Sequence, residues 1–180
     1  MITRTRTPLQ SLALYLLVTP FIALLLFAFS GRPDETPGAI SPIYDLNSVP
    51  SISPVNMKKA SISSGFGKRI HPYTGKMSFH TGIDLISAEG EPVVAPSDGV
   101  ISSTGYDSLN GNFLFISHDD VFSTKYSHLR NMILSQGSKV KMGETIGYVG
   151  STGISTAPHL HYEVIKNGEP VDPAPYLPKK

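Results

Sequence analysis

Six histidines, His71, His80, His118, His128, His159 and His161, all fall in the stretch 61–177. Imidazole is the commonest metal-binding side chain and the one that exchanges protons near neutral pH. Residues two apart on a strand share a face, so His159 and His161 project together while Leu160 and Tyr162 turn toward a core. Such a pair is costly as packing, because each imidazole needs a partner or water. Two readings follow from spacing: a metal ligand beside a proton-handling histidine, or two surface histidines on an exposed edge. His80 and Asp84 stand four apart, a spacing that shares a helix face, but Gly82 between them favours a loop or strand end. A mixed nitrogen and oxygen donor set suits zinc, but for the isolated pair a plain His–Asp hydrogen bond is the favoured reading. Tyr126-Ser127-His128-Leu129 adds a lone histidine after a strand, ordinarily a structural residue.

The chain contains no cysteine, which excludes disulfides, thiolate zinc sites and a cysteine nucleophile. A net charge of +1 with 16% charged residues gives no basic surface and no reason to expect nucleic acid as a partner.

The elements that must position these groups are short. Gly 16 and Pro 15 against Trp 0 point to turns and strands rather than long helices. Phe113-Leu114-Phe115-Ile116 and Glu144-Thr145-Ile146-Gly147-Tyr148-Val149 read as strands. The alternating run from His159 stops at Asn167-Gly168, a tight-turn signal. Residues 129–134 hint at a short helical turn. The fold class is mostly β, a compact antiparallel sheet domain over residues 61–177 with no internal repeat.

Residues 11–29 carry no charge, follow Arg4 and Arg6, and are long enough for a bilayer core. They read as a transmembrane anchor, or as a signal peptide cleaved near Ala28-Phe29-Ser30. Either reading makes residues 1–30 the membrane partner and puts the rest outside the cytoplasm. Pro33, Pro37, Pro42, Pro50 and Pro54 among small polar residues make 31–60 a linker.

In order along the chain, His80-x-x-x-Asp84, Tyr126-Ser127-His128-Leu129 and Pro158-His159-Leu160-His161-Tyr162-Glu163 resemble the lysostaphin/LytM-type zinc metallopeptidase family. The resemblance continues through Gly67-Lys68-Arg69-Ile70-His71-Pro72, the run from Gly90 to Ile101, Gly143-Glu144-Thr145-Ile146-Gly147, Gly150-Ser151-Thr152-Gly153 and Val171-Asp172-Pro173. Ala157 stands where many relatives have glycine, and His118-Asp119-Asp120-Val121 replaces a more glycine-rich turn.

The resemblance implies that His80, Asp84 and His161 bind Zn2+, leaving a fourth position for water. It implies that His128 and His159 divide proton transfer and charge stabilisation. Arg69 and His71 would contact substrate, with a structural role for His71 as an equal alternative; Glu163 would support the sheet or a ligand, and His118 would make a structural hydrogen bond. The activity implied is a zinc-dependent endopeptidase cutting cross-links or stem peptides of bacterial peptidoglycan, in a groove over the metal. The alternative is a catalytically inactive wall-binding or hydrolase-activating module of the same fold. The single apolar segment near Met1 also loosely resembles the last membrane helix of sensor-type membrane proteins, which would make such a protein a partner.

Overall fold

Alternation of apolar and polar side chains decides which face of each strand is buried, and turn residues decide where the strands stop. The computed structural model describes residues 46–71 and 74–178. In chain order its strands are β1 (Ser61–Ser64), β2 (Gly67–Ile70), β3 (Met77–His80), β4 (Ile83–Ile86), β5 (Pro92–Val94), β6 (Gly99–Asp107) and β7 (Gly111–Ser117). They continue as β8 (Phe122–Leu129), β9 (Asn131–Met132), β10 (Lys139–Val140), β11 (Thr145–Tyr148), β12 (His159–Lys166) and β13 (Glu169–Val171). An eight-stranded sheet runs β1-β4-β12-β8-β7-β6-β10, with β13 paired to β12. A three-stranded sheet, β5-β11-β9, and the β2–β3 hairpin accompany it. All these pairings are antiparallel, as expected for the fold class.

On β12, Leu160, Tyr162 and Val164 are buried, beside Ile83 and Leu85 of β4 and Tyr126 of β8. Val93 and Ile146 join the same core from the three-stranded sheet. Each such burial contributes about 1.5–3 kcal/mol. The opposite faces of β4 and β12 are therefore left to Asp84, His159, His161 and Glu163. The hairpin from β12 to β13 turns at Asn167 (φ 53°) and Gly168 (φ 82°), the left-handed pair that a two-residue turn requires. His118 makes structural bonds: Nδ1–H donates to the Asp98 carbonyl at 2.7 Å, and Thr124 Oγ1 donates to Nε2 at 2.9 Å.

Two expectations are corrected. Residues 129–134 hold strand β9, not a helical turn. Met132 and Asn131 pair with Gly147 and Tyr148 of β11, and six residues are too few to nucleate a helix against a ladder. The linker expected to reach residue 60 yields to the domain earlier. Val55 is 3% exposed within the core, and its neighbour Pro54 accepts a hydrogen bond from Val94 N–H at 2.9 Å. Ser51 N–H likewise donates to Pro96 at 3.0 Å. The prolines suit an extended segment laid along a sheet as well as a free spacer. Residues 1–45, including the apolar run and the start of the linker, lie outside the described residues. Among the described residues no helix is long and apolar enough to cross a membrane.

Candidate metal centre and catalytic groove

The sheet register builds the centre. β4 and β12 place Asp84 directly opposite His161. His80 arrives from the end of β3, through a connection in which Gly82 is pressed against β12. A Cβ at Gly82 would collide with the Tyr162 carbonyl and lie 3.0 Å from His161 Cε1. His80 Nε2, Asp84 Oδ1 and His161 Nδ1 then converge, with separations of 3.1, 3.0 and 3.0 Å.

Hydrogen bonds behind the rings settle what these atoms offer. His80 Nδ1–H donates to the Gly65 carbonyl at 2.8 Å, and His161 Nε2–H donates to Glu163 Oε1 at 3.0 Å. Each ring has thus spent its N–H outward and, when neutral, turns a lone pair inward at a carboxylate. Three facing acceptors at such short range call for a cation between them. Burial disfavours the Asp84 carboxylate, but protonated His161 and His80, each donating its inward nitrogen to the carboxylate, outweigh it and hold Asp84 well below the usual carboxylate range. Burial likewise opposes charge on His161, and Asp84 and Glu163 together outweigh it, holding His161 above its ordinary value. The pocket therefore favours positive charge, and its three donors fit a divalent metal. Ligand atoms on a tetrahedral zinc with bonds of about 2.0–2.1 Å stand about 3.3 Å apart, close to the spacing found.

His128 and His159 face the same space, their ring centroids 4.7 Å apart. His159 follows from strand alternation. Its Nδ1–H donates to the Ala157 carbonyl at 2.8 Å, and its Nε2 lies 3.9 Å from Asp84 Oδ1. His128 defies alternation. Along β8, Phe122, Thr124 and Tyr126 are buried, which would send His128 into the core; Leu129 is buried instead. The parity changes at a bulge: Asn112 and Leu114 of β7 pair with Leu129 and Tyr126. His128 occupies it at φ 62°, unusual for a non-glycine residue. Its Nδ1–H donates to the Thr152 carbonyl at 2.8 Å, which leaves Nε2 as a lone pair. Burial, aided by His159 and His161, pushes the His128 pKa down to about 4, so the ring is neutral at physiological pH.

The groove over these groups has a volume of about 370 Å³ and is also lined by Arg69, His71 and Lys125. Arg69 Nη2 sits 3.4 Å from Asp84 Oδ2, so Arg69 touches a candidate metal ligand as well as the groove. His71 Nδ1 accepts the Thr74 N–H at 3.3 Å. Glu163 binds Lys125 Nζ at 3.0 Å in addition to His161. Sequence reading missed Lys125, Thr152 and the Gly65 and Ala157 carbonyls. Lys125 becomes visible once β8 and β12 are aligned, because it pairs directly with Glu163. The carbonyls carry no residue-type signal.

Comparison with known proteins agrees with this geometry. Over 117 residues, 64% of this chain, it is 42% identical to peptidoglycan DD-endopeptidase ShyC of Vibrio cholerae. It covers 27% of that relative, so the chain spans about a quarter of its length. A zinc-containing peptidase from Vibrio cholerae superimposes with a TM-score of 0.63 at 40% identity, covering 67% of this chain and 37% of that one. The catalytic domain of lysostaphin from Staphylococcus simulans does so with a TM-score of 0.59 at 34% identity, covering 64% and 90%. Residues 78–173, which contain all five convergent histidine and aspartate side chains, match the model of peptidase family M23, and the chain belongs to that family.

Proposed function

We propose that this protein is a zinc-dependent endopeptidase that hydrolyses cross-links or stem peptides of bacterial peptidoglycan. The observation that carries the reading is the convergence of three donor atoms, one carboxylate oxygen and two ring nitrogens, with the N–H of each ring already spent elsewhere. His80, Asp84 and His161 would hold the ion, which when bound would supply a Lewis acid able to polarise a carbonyl and acidify water. His128, held neutral by burial and with its proton fixed on Nδ1, accepts a proton at Nε2. His159, beside it, steadies developing charge or returns a proton to the leaving amine. Arg69 and His71 line the groove where an extended peptide lies. The completeness of this set argues against the inactive-module alternative.

The substrate assignment rests on the relatives named above, and the placement outside the cytoplasm rests on the apolar segment 11–29 and on the location of peptidoglycan. The proposed organisation is a membrane anchor or signal over 1–30, a spacer after it, and the peptidase domain through residue 177. The test is to purify the full chain, measure its bound zinc, incubate it with purified wall fragments and weigh the products. Stoichiometric zinc and newly freed peptide termini are expected. A zinc-loaded protein that releases no peptide at any pH would overturn the reading.

A further inference from the structure

We infer that Thr152 is a positioning residue that sets both the tautomer and the strained backbone of His128. The inference rests on the proposed role of His128 as proton acceptor. A left-handed histidine in a strand bulge is costly and persists only where its surroundings over-determine it. Here three of the determining hydrogen bonds converge on one residue. The Thr152 carbonyl takes the His128 Nδ1 proton at 2.8 Å. The Thr152 hydroxyl donates to the carbonyl of Leu129, the next residue after His128, at 2.8 Å, and accepts the Asn112 N–H at 2.9 Å. It thereby fills the gap that the bulge opens between β7 and β8. Asn112 Nδ2 completes the clamp on the Leu129 and Arg130 carbonyls, each at 3.0 Å, while His128 N–H is held by the Asn110 carbonyl at 2.7 Å.

Two glycines admit this arrangement. A Cβ on Gly111 (φ 63°) would overlap Thr152, and a Cβ on Gly153 (φ 72°) would overlap the Gly111 nitrogen. Loop 150–157 is thus dovetailed into the turn between β6 and β7, and the seam ends at the His128 ring. The chemical consequence concerns the proton. A neutral imidazole carries its hydrogen on either nitrogen, and only the form with Nδ1–H presents an accepting Nε2 to the groove. The hydroxyl fixes the loop, the loop fixes the carbonyl, and the carbonyl fixes the tautomer.

Thr152→Val keeps the shape and deletes the hydroxyl; Thr152→Ser restores it. With the full chain loaded with zinc, kcat for wall-peptide hydrolysis is expected to fall about 10–100-fold in Thr152→Val, the scale of a roughly 1 Å misplacement. KM and zinc affinity should stay within about twofold, and Thr152→Ser should recover most of the loss. Nitrogen-15 NMR of the His128 ring gives a readout independent of activity: a slowly exchanging Nδ1 proton in wild type, lost or averaged in Thr152→Val. If wild-type protein shows that proton but hydrolyses nothing, the functional reading fails and the positioning inference stands. If Thr152→Val retains both the Nδ1 proton and wild-type kcat, or loses zinc in proportion to activity, the inference is overturned.

Discussion

Replacing Glu163 with alanine should weaken zinc binding by about 10²-fold while the fold persists. Glu163 Oε1 lies 3.0 Å from both His161 Nε2 and Lys125 Nζ, so one buried carboxylate orients a metal ligand and neutralises a lysine. The side chains of Lys125 and Glu163 are only 16% and 6% exposed. Loss of a hydrogen-bond partner behind a metal-bound imidazole typically costs 10–100-fold in affinity, about 1.4–2.8 kcal/mol. The variant also strands an ammonium within about 6 Å of the ligand ring, where a unit charge at an effective dielectric of about 20 is worth up to about 3 kcal/mol. Solvent in the open groove and the swing of the lysine reduce that to roughly 1 kcal/mol, which moves the variant to the upper end of the range. Removing the stranded charge as well separates the two effects. Glu163→Ala/Lys125→Met should recover to about a tenfold loss, the orienting bond alone. Competition against a chromogenic zinc chelator measures both variants, with circular dichroism confirming the fold. Zinc affinity in Glu163→Ala within twofold of wild type would refute the argument, as would a double variant weaker than the single one.

His161→Ala should lose zinc and hydrolysis together, whereas His128→Ala should retain zinc while hydrolysis falls by about 10²–10⁴-fold; metal release from His128→Ala would overturn the assigned roles. Gly82→Ala should abolish zinc binding, since its methyl collides with the Tyr162 carbonyl and crowds the His161 ring, and metal analysis of the folded variant checks it. The His128 ring should titrate in the metal-free protein near pH 4, below its ordinary 6.5. A histidine whose folded pKa is lowered contributes nothing above its unfolded pKa and destabilises as pH falls, so stability should decline from about pH 6.5 toward pH 4. An NMR midpoint at or above 6.5 would contradict this. Val55→Ala should cost about 2 kcal/mol in denaturant unfolding, because this residue of the expected linker sits in the core.

Strand parity and motif order make much of this protein legible in its sequence. The two-residue period puts His159, His161 and Glu163 on one face of β12 and Leu160 and Tyr162 on the other, because side-chain direction in a strand is a local property. The tight turn at Asn167-Gly168 is equally local. The family resemblance draws on the spacing of His80, Asp84, His128 and His161, residue types whose chemistry is recognisable in isolation. What only the tertiary structure decides is non-local. The register that sets Asp84 against His161 and Lys125 against Glu163 depends on which strands become neighbours. The bulge that turns His128 out of the core depends on Thr152, 24 residues further along the chain. The packing of Val55 and the pairing of β9 with β11 override composition and local periodicity. Backbone carbonyls from Gly65, Thr152 and Ala157 choose which nitrogen of each histidine faces the groove, and a carbonyl is the same on every residue, so only its position in space gives it a role.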